Sequence, residues 1–99
     1  MKKPRSKFRI ASDILKVISD LSLSSKGDIV LKANVSNSVL TNYLRAFIFN
    51  KLVSEVGITR GESNQSYMAY NITESGVSAM NRLNYIDSQF SWINDVGAK

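Results

Sequence analysis

Three segments of the chain carry apolar residues at steps of three and four, and we predict a helix for each. The first runs from about Ser6 to Leu23, the second spans about residues 36–52, and the third starts at Glu74 and continues for about six turns. The repeating positions are Phe8, Ala11, Ile14, Leu15, Ile18 and Leu21; then Leu40, Tyr43, Leu44, Phe47, Ile48 and Leu52; then Val77, Met80, Leu83, Ile86, Phe90, Ile93 and Val96.

The polar segments between these helices predict a short helix and a hairpin. Residues 24–27 form a turn, residues 28–33 suit a helix of two turns, and Ser36 is a candidate cap for the helix that follows. Residues 52–58 and 67–72 favour strands, and the polar segment between them is typical of a hairpin loop. Thr73 is a candidate cap for the last helix.

The order helix, short helix, turn, helix and hairpin is typical of an α+β winged helix-turn-helix. We predict three helices, a two-stranded β-hairpin wing and a long C-terminal dimerisation helix. The predicted division is a flexible basic arm at residues 1–5, a winged-helix domain at residues 6–73 and the C-terminal helix at residues 74–99.

The composition argues against catalysis. The 99 residues include no cysteine and no histidine, so the usual nucleophile, general base and metal ligands are missing. The eight carboxylates are scattered along the chain. We therefore expect a protein that is not an enzyme and has neither a cofactor nor a metal site.

The distribution of charge favours a nucleic-acid partner. Residues 1–51 hold ten Lys and Arg against three acidic residues, a net charge of +7, whereas residues 52–99 hold three against five, a net charge of −2. A basic half attracts a phosphate backbone over long range. Without a signal peptide or a long apolar run, we expect a cytoplasmic, nucleoid-associated protein.

We expect helix three, about residues 36–52, to enter the major groove of double-stranded DNA, because this groove admits one α-helix. Its polar side can contact base edges, and Arg45 can reach guanine or a phosphate. Arg60 in the wing and the basic N-terminal arm are further candidates. The predicted DNA-binding residues are Asn37, Ser38, Thr41, Asn42, Arg45, Arg60, Lys2, Lys3 and Arg5.

The last helix carries more apolar surface than one small domain can cover. An antiparallel pairing of two copies in a coiled coil would bury the surplus and give a homodimer. The predicted interface residues are Met80, Leu83, Ile86, Phe90 and Ile93.

Four short strings resemble the small archaeal winged-helix proteins related to archaellum regulators and to chromatin proteins that dimerise through a coiled coil. The resemblance covers about residues 4–85, with matching strings at residues 5–6 with 11–15, 32–36, 40–44 and 70–76. It implies dimerisation through the last helix and DNA binding for transcription control or DNA organisation. The chain departs from the family at Gly27, where a threonine usually caps helix two, and at Lys51, where a glycine usually ends helix three.

Two functions remain open at the level of sequence. The first is a dimeric transcriptional regulator that binds double-stranded DNA. The alternative is a winged-helix module for protein–protein interaction or chromatin architecture without sequence-specific recognition of DNA, which the weakly charged wing favours.

Overall fold

A computed structural model describes residues 5–60 and 65–90 of the chain. Its elements confirm the predicted order of helices and strands, with one strand added. They are α1 (Lys7–Leu21), β1 (Ser24–Ser25), α2 (Lys26–Ala33), α3 (Asn37–Phe49), β2 (Val53–Arg60), β3 (Gln65–Ile72) and α4 (Glu74–Phe90). Within the described residues, no helix combines the length and apolar character that a membrane crossing requires.

Serine hydroxyls begin the first three helices. Ser6, Ser25 and Ser36 each accept a hydrogen bond from the backbone N–H three residues further on, which satisfies a donor that the helix itself leaves unpaired. Ser36 confirms the predicted cap of α3. Gly27, by contrast, is not the cap of α2: it lies within the first turn, because Ser25 supplies the hydroxyl.

The sheet has three strands instead of the predicted two. β3 lies in the centre, with β1 and β2 antiparallel on either side. The β2–β3 register runs from Val53 opposite Ile72 to Arg60 opposite Gln65. β1 joins the sheet through Ser24 opposite Tyr70, which fixes the start of α2 against the base of the hairpin.

The core lies where α1, α2, α3 and the base of the hairpin meet. Its largest fully buried apolar side chains are Ile14, Leu15, Ile18, Ile29, Leu40 and Val53. Because the core-facing positions of α3 come from one side of the helix, its opposite side stays outside the domain.

α4 begins at a tight junction with the end of α3. The Thr73 hydroxyl accepts from the Gly76 N–H at 3.0 Å and lies 2.7 Å from the Lys51 carbonyl oxygen, to which it donates. This confirms Thr73 as the cap of α4. A Cβ on Gly76 would overlap the Leu52 carbonyl oxygen, so glycine is required for this close approach. From there α4 packs mainly against α1.

Candidate nucleic-acid interface

The outer face of α3 is the most distinctive surface of the domain. Ser38, Asn42, Arg45 and Phe49 follow one another at steps of four, three and four residues, so they lie on one face of the helix. All four are exposed, and we call them the outward stripe. Asn37 is also exposed, one step to the side. Short polar side chains and one guanidinium therefore project away from the core.

Two predicted contact residues of α3 have engaged hydroxyls: that of Ser38 shares a hydrogen bond with the Ser36 hydroxyl at 3.3 Å, and that of Thr41 is engaged twice. The Thr41 hydroxyl donates to the Asn37 carbonyl oxygen at 2.9 Å and accepts from the Lys26 ammonium at 2.8 Å. A hydroxyl has one proton to donate. Thr41 therefore connects the start of α2 to the flank of α3, and its donor is unavailable to a base in this arrangement.

Arg5 is not part of a flexible arm. Its guanidinium donates to the carbonyl oxygens of Ala33 and Asn34, at 2.9 and 2.6 Å, and forms an ion pair with Asp13 at 2.9 Å. The two carbonyl groups are at the C-terminal end of α2, where helix carbonyls lack partners within the helix. Arg5 thus fastens the chain to the turn that precedes α3. Lys2 and Lys3 lie outside the described residues.

The basic side chains of α2 and α3 differ from several of those on the N-terminal side in their ion pairing. On the N-terminal side, Asp13 pairs with Arg5 and Arg9, and Asp20 pairs with Lys16. Among the described residues, no carboxylate forms such a pair with the basic side chains of α2 or with Arg45. The unpaired cations of α2 and α3 therefore place positive charge that would attract phosphate beside the outward stripe.

The wing has fewer basic side chains than the helix-turn-helix for binding a polyanion such as DNA. Arg60 ends β2 opposite Gln65, and the residues at the tip between them lie outside the described residues. The described part of the hairpin exposes apolar side chains, among them Val56 and Met68. Whether Arg60 contacts DNA stays a prediction.

At the base of the wing, a tyrosine and a glutamate form a pair beside α3. The Tyr70 hydroxyl donates to Glu55 Oε2 at 3.3 Å. Burial raises the pKa of the Tyr70 hydroxyl above its usual value of 10.0, and the neighbouring Glu55 carboxylate raises it further. Both side chains line a cleft of about 190 Å³ that also includes Lys26, Thr41 and Arg45.

The predicted dimer residues divide into two groups. Met80 and Leu83 are half-buried and pack against the core of their own chain, so part of each surface is used within the protomer. Ile86 is half-buried, Ile93 lies outside the described residues, and nothing is described of the Phe90 side chain. Val77 and Tyr85 add exposed apolar surface to α4.

Two residues of this surface were missed by sequence reasoning. Lys26 falls in the segment predicted as a turn, and its bond to Thr41 joins residues 15 positions apart, which no local pattern reveals. Phe49 follows Phe47 and Ile48, which carry the core spacing, yet its side chain is 86% exposed. The sequence did hold a signal for Phe49, because this residue falls outside the steps of three and four that relate the other apolar residues of the helix.

A family comparison decides what this architecture represents. The model of the winged helix-turn-helix family matches residues 4–90. The chain belongs to this family. In a winged helix-turn-helix protein, α2 and α3 form the helix-turn-helix and the β2–β3 hairpin forms the wing.

Solved winged-helix structures share this fold at low sequence identity. Sso10a-2, a DNA-binding protein from Sulfolobus solfataricus, has 17% identity and a TM-score of 0.70, with 95% of each chain covered. A PadR family transcription regulator from Clostridium difficile has 14% identity and a TM-score of 0.64, with 88% of this chain and 92% of that chain covered. ZitR from Lactococcus lactis, solved in complex with DNA, has 13% identity and a TM-score of 0.57, with 98% of this chain and 64% of that chain covered. No curated protein matches the chain by sequence.

Proposed function

We propose that this winged helix-turn-helix protein binds double-stranded DNA as a homodimer and regulates transcription, with α3 as its recognition helix. The outward stripe is the observation that carries the proposal. It offers an amide at Asn42, a hydroxyl at Ser38 and a guanidinium at Arg45 on one exposed helix face. These are the groups that hydrogen-bond to base edges and phosphates.

The dimensions of α3 suit the major groove. Thirteen residues give a helix about 20 Å long, and an α-helix about 10–12 Å wide fits a groove about 12 Å wide. Arg45 lies two turns from the start of α3, where it can reach guanine or a phosphate. Asn42 has the bidentate geometry that suits adenine.

The solved relatives support the same function. Sso10a-2 is a DNA-binding protein, and ZitR was solved bound to DNA. Transferred to this chain, the binding mode would use α3 for base contacts and the unpaired cations beside the outward stripe for phosphate contacts.

Dimerisation through α4 completes the proposal. Val77 and Tyr85 expose apolar surface on the described part of the helix, and the predicted stripe, from which Tyr85 stands apart, runs on through Ile86, Phe90 and Ile93. Two recognition helices in one particle would contact two half-sites, which raises both affinity and specificity over a single module.

Substitutions of arginine test the role of α3. Arg45→Ala should weaken duplex binding more than Arg60→Ala, because Arg45 lies on the recognition helix itself. Arg82→Ala is the control, since Arg82 is exposed on α4. Kd values from fluorescence anisotropy compare the three variants. Equal losses for Arg45 and Arg60 would contradict the ranking, and equal losses for all three would contradict the placement of DNA on α3.

A charge in the proposed helix pair tests the dimer. Phe90→Asp should give monomers by sedimentation, because an unpaired carboxylate would be buried between the two helices. Ser66→Asp places the same charge at an exposed position of β3, on the wing, and should leave the dimer intact. A dimer that survives Phe90→Asp would refute pairing through this part of the helix.

The exposed apolar side chains of the helix-turn-helix support a second candidate, a protein-interaction module. Leu31 is 79% exposed and Phe49 is 86% exposed. Surfaces of this kind are typical of sites where proteins associate. A failure to bind duplex DNA even at low salt would favour this candidate.

A further inference from the structure

Lys26 occupies a position that is unfavourable for a lysine. It is the first residue of α2, directly after the Ser25 cap. The N-terminal end of a helix carries partial positive charge, so a cation there costs about 0.3–1 kcal/mol. The stability of α2 alone therefore gives no reason for a lysine at this position.

The contacts of the Lys26 ammonium hold it in place without neutralising it. It donates to the Thr41 hydroxyl at 2.8 Å, and the hydroxyl is itself fixed by its bond to the Asn37 carbonyl oxygen. Within residues 5–60 and 65–90, no carboxylate forms an ion pair with Lys26. An ammonium group has three N–H donors, so two are left for another acceptor.

The surroundings of Lys26 favour an anion as that acceptor. Lys26 and Arg45 line the same cleft on the flank of α3. The carboxylate in this cleft belongs to Glu55, which accepts from the Tyr70 hydroxyl. With two cations and one carboxylate, the cleft carries a net positive charge next to the outward stripe.

We propose that Lys26, positioned by Thr41, binds a backbone phosphate at the edge of the groove that α3 occupies. This inference rests on the proposed function and deepens it. A contact from the start of α2 would fix the recognition helix along the groove, since phosphate contacts set the register of a protein on the duplex. Thr41 is then a positioning residue that acts through Lys26.

Salt dependence tests this contact. Each phosphate contact contributes about 0.9 to the slope of log K against log salt concentration. Because a dimer carries two copies of Lys26, Lys26→Gln should lower that slope by about 1.8, so its loss of affinity between about 50 and 200 mM salt should be about twelvefold smaller than that of the unmodified protein. Lys32→Gln on the exposed side of the same helix is the control and should keep the full slope. Lys26→Arg should also keep it.

Variants of Thr41 separate positioning from simple structural bridging. In the protein that has Lys26, Thr41→Val should weaken duplex binding. In a protein that already carries Lys26→Gln, Thr41→Val should weaken binding no further. Thr41→Ser keeps the hydroxyl and should bind as tightly as the unmodified protein.

Urea unfolding of each variant verifies that it folds. If Lys26→Gln lowers stability but leaves the salt slope unchanged, Lys26 is only a bridge between α2 and α3, and the inference is overturned while DNA binding stands. If the unmodified protein binds no duplex at any salt concentration, the proposed function fails and this inference fails with it.

Discussion

Gly76 lies against the Leu52 carbonyl oxygen so closely that a Cβ at this position would overlap it. The contact joins the first turn of α4 to the junction between α3 and β2. Thr73 strengthens the same junction, because its backbone N–H donates to that carbonyl oxygen at 3.0 Å. Thr73 and Gly76 belong to the string at residues 70–76, which carries part of the family resemblance. Their contacts with Leu52 give these two positions a structural role.

Gly76→Ala should lower the free energy of unfolding by about 2 kcal/mol, because either the backbone of α4 or that of Leu52 has to move. Urea unfolding measures the change. Gly27→Ala is the control: its nearest neighbour would be the Ser25 hydroxyl oxygen at 4.0 Å, so it should leave stability unchanged or raise it by up to about 1 kcal/mol. Equal losses for both variants would show that the junction tolerates a methyl group.

Phe47 and Phe49 provide a second matched pair. Phe47 is buried in the core, whereas Phe49 projects into solvent from the outward stripe. Phe47→Ala should cost about 3–5 kcal/mol, and Phe49→Ala should change stability by less than about 0.5 kcal/mol. Thermal or urea unfolding measures both. A large loss for Phe49→Ala would mean that Phe49 is packed, and the outward stripe would have to be redrawn.

Lys51→Gly should stabilise the domain. Lys51 follows α3 with a φ of 61°, in the left-handed region that favours glycine. Relief of this strain, less the entropy that glycine loses on folding, should raise the free energy of unfolding by about 0.5–1 kcal/mol. Lys51→Ala removes the same charge but keeps the strain, so it should give no gain. A gain of equal size from alanine would assign the effect to charge.

The stability of the domain should fall at alkaline pH. The raised pKa of Tyr70 means that the folded state holds the phenolic proton more tightly than the unfolded state. Its contribution is fully present below the unfolded-state pKa of about 10 and is lost as the pH rises through the higher folded-state pKa.

Urea unfolding between about pH 8 and pH 11 measures this loss. Tyr70→Phe should remove the part of the slope that is due to Tyr70, and Glu55→Gln should reduce it by removing the neighbouring negative charge. An alkaline slope identical in all three proteins would exclude Tyr70 as its source.

Features that depend on nearby residues could be predicted from the sequence. The hydroxyls of Ser36 and Thr73 cap helices three residues away, and the spacing of Leu40, Leu44 and Phe47 marks the buried side of α3. Each of these signals lies within one or two helical turns, which is the range over which periodicity and capping operate.

Features that depend on distant residues could not be predicted. β1 is two serines that become a strand only by pairing with Tyr70 and Ala69 of β3. The guanidinium of Arg5 binds carbonyl oxygens 28 and 29 residues away. Contacts of this kind are set by the folded arrangement of the helices, so neither composition nor spacing in the sequence reveals them.

Binding of the purified protein to a random-sequence DNA duplex at about 50 and 200 mM salt tests the central claim most directly. Phosphate contacts from a dimer with several unpaired cations predict an affinity that falls by about three orders of magnitude over this range. The absence of binding at the lower salt concentration, or an affinity that does not change with salt, would contradict DNA binding through α2 and α3.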